Sequence, residues 1–223
     1  NGEVYNAFDE VASLKAAGYN FVSRTDTEVV LYLYQHLGLS AALERLNGMF
    51  AICIIDLNQH CVWLVRDRLG VKPLYFWRSP RCILFASEIK SLLQSEEFQA
   101  HLHLDSMHEH LAFRYVSGYQ TILKDVYQVE PGQVVQIKSE GSVDYHKFWK
   151  MPAGVVSPIS KSEALSQLES QLDKSVSMQM LSDVSVGSQL SGGIDSSLVT
   201  LFAARKAQGD LDTISIIFED EQY

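Results

Sequence analysis

Near the end of the chain, Ser191-Gly192-Gly193-Ile194-Asp195-Ser196-Ser197 gathers the residue types that hold a phosphate. Adjacent glycines let backbone N–H groups turn toward an anion with no Cβ in the way. A helical pattern begins directly behind them and aims its positive end at the same point. Ser191 and Ser196 add hydroxyl donors. Asp195 alone repels phosphate, so its presence implies a Mg²⁺ that the carboxylate and the phosphates share. No lysine follows the glycines, which separates this loop from the GxxxxGK(S/T) loop that reaches a γ-phosphate. The plain alternative is a Gly-Gly turn with a Ser/Asp helix cap. Its place between a strand pattern and a helix pattern favours the anion site.

Other candidates are weaker taken alone. Asn1-Gly2-Glu3-Val4-Tyr5-Asn6 reads by itself as a polar turn, and Asp26 as a helix cap. His101, His103, His108, Glu109 and His110 invite a metal reading, but they lack HExxH spacing. On the helix expected from Asp105 to Phe113, rings two residues apart diverge, so a polar surface is expected. Cys53, Cys61 and Cys82 are odd in number and without CxxC spacing, and they are expected to be buried free thiols.

These candidates need a scaffold. A helix is expected from Asp26 to Gly38, capped by Thr25 or Asp26, with Val29, Val30, Leu33 and Leu37 on one face. A short helix follows at Ser40–Leu46. Met49–Leu57 and Cys61–Asp67 are rich in branched residues around the short Asn58-Gln59-His60, which predicts a hairpin. Tyr75–Arg78 with Cys82–Ala86, and Val134–Lys138 with Val143–Trp149, repeat the pattern. Residues 1–150 therefore read as an α+β domain. Two prolines and a glycine break the periodicity across 151–160, as a linker does. Beyond it, Ser160 and Glu163 have capping-box spacing, and Leu165, Leu168, Leu172 and Val176 recur at helical intervals. A strand at Val184–Leu190, a helix at Ser196–Gln208 ending at Gly209 and a buried strand at Thr213–Phe218 make one β-α-β unit. Residues 161–223 are thus expected to begin a parallel sheet.

The 223 residues are 47% hydrophobic and 20% charged, an ordinary globular mixture. With a formal net charge of −9, no face is expected to hold a nucleic-acid backbone. No apolar stretch approaches bilayer length and no leader-like segment opens the chain, so a cytoplasmic protein free of membrane is expected. The chain begins at Asn1 rather than Met, and only five residues follow Phe218, so a fragment cut at both ends is expected.

The SGGIDSS loop resembles the SGGxDS pyrophosphate loop of the N-type ATP pyrophosphatases, and NGEVYN resembles the NGEIYN motif of class II glutamine amidotransferases. Thr25-Asp26-Thr27-Glu28, Leu46–Ala51 (LNGMFA), Arg66–Tyr75 (RDRLGVKPLY), Phe85–Lys90 (FASEIK) and Ser182-Asp183-Val184 follow in the same order. The combination is similar to the glutamine-hydrolysing asparagine synthetase family across nearly the whole chain.

The resemblance implies an Ntn-hydrolase-like domain of sandwiched antiparallel sheets, followed by the start of an ATP pyrophosphatase domain. It implies that Asn1 and Gly2 form an oxyanion hole and that Glu3 and Asp26 hold the α-amino end of glutamine. It also implies that Ser191, Gly192, Gly193 and Ser196 hold pyrophosphate, that Asp195 binds Mg²⁺, and that Leu190 and Ile216 contact the nucleotide through their backbones. The substrates implied are ATP, glutamine and aspartate, and a homodimer is implied by resemblance alone. The alternatives are amidation of another carboxylate and a non-catalytic fragment. Two departures stand out. Ser215-Ile216-Ile217-Phe218 has Ile217 where the family has glycine, and the family's N-terminal cysteine nucleophile is not among these residues. Polypeptide 1–223 is therefore expected not to hydrolyse glutamine by itself.

Overall fold

A computed structural model describes residues 1–154 and 158–217. The chain divides into two compact units, Asn1–Pro152 and the residues from Ala153 onward.

The first unit is built on two antiparallel sheets. Strands β1 (Gly2–Val4), β2 (Gly48–Asp56), β3 (Cys61–Arg66), β7 (Gln133–Lys138) and β8 (Val143–Lys147) form one sheet in that order. The second sheet has β4 (Tyr75–Arg78) between β5 (Ile83–Ala86) and β6 (Val126–Gln128). All three hairpins expected from the branched and aromatic runs are present, with Asp56↔Cys61, Arg78↔Ile83 and Ile137↔Val143 next to their turns. The first turn is tied by Asp56, whose Oδ1 accepts the N–H groups of Asn58 and Gln59 at 2.9 and 2.8 Å. Strand β8 stops at Lys147, two residues before the expected end at Trp149. The short β1 and β6 carry too few alternating residues to stand out in the sequence.

Strand alternation buries both faces of the larger sheet. Val4, Phe50, Val65 and Val134 face Leu14, Val29, Leu33 and Leu43, which come from α1 (Val11–Ala16), α2 (Asp26–Leu37) and α3 (Leu39–Arg45). On the other face Ala51, Leu64 and Val135 meet Phe76 of the second sheet. The far side of that sheet packs Trp77, Leu84 and Val126 on Leu92 and Phe98 beside α4 (Ile89–Leu92). Helix, sheet, sheet and helix are thus stacked in layers, with each fully buried Leu or Val contributing about 1.5–3 kcal/mol. Helix α5 (Leu104–Phe113) follows, capped by His103, whose Nδ1 accepts the Ser106 N–H at 3.2 Å. Helix α2 is capped by Thr25 rather than Asp26, and it ends at Gly38, whose φ of 78° favours glycine.

The cysteines correct one expectation. Cys61 is buried and Cys82 partly so, but Cys53 is exposed, since no strand or helix among the described residues covers its position on β2.

In the second unit, Ser160 caps α6 (Lys161–Gln179) through its hydroxyl, which accepts the Glu163 N–H at 3.2 Å. Strand β9 (Ser188–Gln189), helix α7 (Ile194–Lys206) and strand β10 (Thr213–Ile214) follow, and β9 pairs with β10 in parallel. Both strands are much shorter than expected, and Phe218 lies outside the described residues. Helix α7 starts two residues before Ser196 because Gly193 takes the cap, and it ends at Lys206 rather than Gln208. The expected burial is absent: Leu165 and Leu168 are 55% and 56% exposed, and Ile214 is 67% exposed. Further along α6, Leu172 and Val176 are partly buried, and α7 packs against this helix, with Lys206 Nζ donating to Asp173 at 2.9 Å.

Arg66 and Asp67 pin the turn that joins the two sheets. The Asp67 carboxylate, 1% exposed, accepts the N–H groups of Phe50 (3.2 Å), Leu69 (3.1 Å), Val71 (2.9 Å) and Lys72 (2.9 Å). The Arg66 guanidinium donates to the carbonyls of Lys72, Val129 and Gly70 at 2.8, 2.8 and 2.7 Å. Asp67→Ala strips the acceptor from four N–H groups at once and is expected to lower stability by about 3 kcal/mol or more in urea unfolding. A loss below about 0.5 kcal/mol, the range of an ordinary surface change, contradicts this account.

Candidate functional site

Strand β1 sits where only glycine fits. Gly2 has φ 128°, and a Cβ there lies 2.0 Å from the Met49 carbonyl oxygen. A Cβ on Gly48 lies 2.2 Å from the Glu3 carbonyl oxygen. Glycine at both positions, Gly2 opposite Phe50 and Gly48 opposite Val4, lets β1 and β2 pair closely.

Ladder parity then decides which groups point away. Asn1 and Ala51 exchange both backbone bonds, at 3.1 and 2.8 Å, and Tyr5 donates to the Asn47 carbonyl at 2.9 Å. Odd positions of this strand therefore bond β2, while the N–H groups of Gly2 and Val4 face the outer edge. The Val4 N–H donates to Asp26 Oδ2 at 2.9 Å. The Gly2 N–H has no acceptor among the described residues. Beside it a cavity of about 170 Å³ is lined by Asn1, Gly2, Glu3, Asp26, Phe50 and Cys53, among others. The sequence-predicted Asn1, Gly2, Glu3 and Asp26 thus come together. Asp26 reaches the cavity from the first turn of α2, and its Oδ1 also accepts from the Thr27 hydroxyl at 3.3 Å. One residue was missed: Asn1 Nδ2 donates to Ser87 Oγ at 3.0 Å. Its signal was the FASEIK match, which named the residue without a role.

Glu28 fastens the segment ahead of α2. Its carboxylate accepts the N–H groups of Val22 and Ser23 at 2.8 and 2.7 Å and the Ser23 hydroxyl at 2.5 Å. The Ser23 hydroxyl above all, then the Val22 N–H, holds the Glu28 pKa down at about 2. Further along α2, Tyr34 donates to Asp56 and accepts from Trp63 Nε1 at 3.2 Å. Burial, then the bond to Asp56, pushes the Tyr34 phenol up to about 12.

In the second unit, Ser191–Ser197 joins β9 to α7. Gly192 takes φ 80° and Gly193 caps the helix, while Asp195 and Ser196 occupy its first turn. The first N–H with an acceptor is that of Ser197, bonded to the Gly193 carbonyl at 3.0 Å. The N–H groups of Ile194, Asp195 and Ser196 have no acceptor among the described residues, as helix N-termini leave them. Ser191 Oγ and Ser196 Oγ lie 3.0 Å apart, and Ser196 Oγ donates to the Gly193 carbonyl at 3.1 Å. Leu190 N–H bonds the Ile214 carbonyl at 2.9 Å, and Ser215 Oγ bonds the Leu190 carbonyl at 2.6 Å, so these strand ends border the loop. Ile216 and Ile217 are 80% and 87% exposed. Among the described residues no group of three or more His, Cys, Asp or Glu side chains could hold a metal, the histidines around α5 included.

Two outcomes are expected. Gly2→Ala forces β1 off β2, so the amides of Tyr5 and Ala51 lose protection in hydrogen exchange while those of β7 keep theirs. The Glu28 carboxylate is depressed from its ordinary 4.5, so its contribution is present above that value and lost as pH falls toward about 2. Protection factors of the Val22 and Ser23 amides should fall across that window, and Glu28→Gln should abolish the transition.

Comparison with known proteins follows this division. A family model described as a glutamine amidotransferase domain matches residues 1–149, and one described as asparagine synthase matches residues 167–223. Asparagine synthetase [glutamine-hydrolyzing] 1 of Bacillus subtilis is 34% identical over 223 residues, covering 100% of this chain and 35% of the relative. A putative asparagine synthetase [glutamine-hydrolyzing] 2 of Methanocaldococcus jannaschii is 32% identical over 226 residues, covering 98% of this chain and 42% of the relative. The solved glutamine phosphoribosylpyrophosphate amidotransferase of B. subtilis aligns at a TM-score of 0.45 and 19% identity, over 96% of this chain and 44% of that one. The chain therefore spans less than half the length of these proteins. With the first model covering most of its residues, the chain belongs to the glutamine amidotransferase domain family, and its residues 167–223 match the asparagine synthase model.

Proposed function

We propose that the cavity at Asn1–Asp26 binds glutamine and that the Ser191–Ser196 loop holds pyrophosphate. On this reading the whole protein converts aspartate, ATP and glutamine to asparagine, glutamate, AMP and pyrophosphate. The observation that carries the first half is the Gly2 N–H, turned off the ladder into a cavity that also presents the Asp26 carboxylate.

Amide hydrolysis needs donors where the carbonyl oxygen becomes an oxyanion. The Gly2 N–H is one. The Asn1 amide carries two hydrogens, and the bond to Ser87 uses one of them. Asp26 keeps lone pairs beyond those taken by Val4 and Thr27, and with Glu3 it suits an α-ammonium group. The nucleophile is the N-terminal cysteine that the resemblance implies. Cys53 does not replace it, because its amine is an ordinary peptide nitrogen and cannot act as the base.

For pyrophosphate, the unsatisfied N–H groups at the start of α7 and the Ser191 and Ser196 hydroxyls form a donor set that fits an anion. Mg²⁺ fits only as an ion shared with the phosphates, since Asp195 is a single carboxylate there; it would offset the charge that Asp195 adds. The parallel β9–α7–β10 unit would then be the start of the pyrophosphatase sheet.

Two measurements separate the halves. Glutamine binding to polypeptide 1–223, followed by NMR, should weaken about tenfold or more in Asp26→Asn, the loss of one charge-assisted bond. Unchanged binding removes Asp26 from the site. On the full-length protein, pyrophosphate release should require aspartate. Release driven by a different carboxylic acid would defeat the asparagine assignment while leaving the glutamine cavity standing.

A further inference from the structure

The Asn1 side chain has one polar partner among the described residues, and that partner comes from the other sheet. The Asn1 backbone is fixed by the two bonds it exchanges with Ala51, at 3.1 and 2.8 Å. Its side chain is not fixed by β2. The last torsion of an asparagine lacks the sharp staggered wells of a saturated bond, so an exposed amide without a partner turns readily. Here Nδ2 donates to Ser87 Oγ at 3.0 Å, and no second group among the described residues restrains the amide.

Ser87 is held from its own side. It follows β5, whose last residue Ala86 pairs with Tyr75 of β4, and it precedes α4, which begins at Ile89. Ala86 and Ile89 flank it and pack against the cluster of Leu92, Phe98 and Val126. A supported strand end thus carries the half-buried hydroxyl to the start of β1, although 86 residues separate the two partners. Ser87 Oγ makes no other bond among the described residues, so nothing on its own sheet competes for it. The two hydrogens of a primary amide share one plane, and anchoring the first directs the second. Asn1 lines the cavity next to Gly2, where that second hydrogen is available to a ligand.

We infer that Ser87 is a positioning residue for the oxyanion donors: by taking one hydrogen of the Asn1 amide, it holds the other for the carbonyl oxygen that the Gly2 N–H also serves. This rests on the oxyanion role proposed above for Asn1 and Gly2. Ser87 acts through Asn1 and does not itself touch glutamine. Asp26 is placed by its bonds to Val4 and Thr27, not by Ser87, so the grip on the α-ammonium group is independent of it. Donors that matter most when the oxygen gains charge affect the rate more than the binding of substrate.

The test uses the full-length protein and follows glutamate release from glutamine. Ser87→Ala should lower kcat about tenfold, short of the roughly hundredfold cost of deleting an oxyanion donor, and leave the glutamine KM within about twofold. Asn1→Ala should cost about a hundredfold, and adding Ser87→Ala to it should cost less than about twofold more, because the group that Ser87 positions is gone. An unchanged kcat in Ser87→Ala overturns the inference. So does a raised KM with kcat intact, or a tenfold loss that persists in the Asn1→Ala background. In those three cases a slow Asn1→Ala variant leaves the oxyanion site standing. Full kcat in Asn1→Ala removes that site, and the inference with it.

Discussion

The close approach of β1 to β2, at Gly2 and at Gly48, is the constraint on which the first unit's candidate site depends. A side chain at either glycine would collide with the other strand's backbone, so the pairing of β1 with β2 depends on glycine at both positions, Gly2 opposite Phe50 and Gly48 opposite Val4. That pairing sets the parity of the ladder. Parity in turn decides that the N–H groups of Gly2 and Val4 leave the sheet on the side where α2 presents Asp26. Without this backbone approach, Asn1, Glu3 and Asp26 would be three polar residues with no common cavity.

The surroundings hold that arrangement from both ends. Asp67 takes the Phe50 N–H directly opposite Gly2 and, through three more amides, fixes the turn that carries the chain to the second sheet. Arg66 does the same for carbonyls, so two adjacent charged residues satisfy a buried turn whose backbone would otherwise lack partners. On the helix side, Thr25 and Glu28 secure the first turn of α2, where Asp26 sits. Rigid elements therefore supply the positions, and the motif residues supply the chemistry.

Much of this was legible in the sequence where the physics is local. The hairpins follow from branched and aromatic runs around short polar turns, and α2 from Thr25, its apolar spacing and Gly38. The loop at Ser191 announced its donors by composition. Other features depend on partners far along the chain. The role of Ser87 needs Asn1 from 86 residues away, and the exposure of Cys53 depends on where the second sheet stops. The apolar spacing of Leu165 and Leu168 specifies a face, but not what lies against it. Strands β9 and β10 are short for the same reason: the pattern describes what a segment can bury, while the extent of a sheet depends on what is beside it.

The serine hydroxyls of the Ser191 loop already bond to one another and to the Gly193 carbonyl. An occupant that binds these hydroxyls, rather than the open N–H groups of Ile194, Asp195 and Ser196, must therefore displace an interaction before it makes one. A neutral acceptor would exchange one hydroxyl bond for another of similar strength and gain little. A phosphate oxyanion offers charge-assisted bonds roughly twice as strong, so exchange runs in its favour. On the proposed reading, the closed pair of hydroxyls would act as a charge filter, set by the strength of the bonds it must give up rather than by the size of the opening.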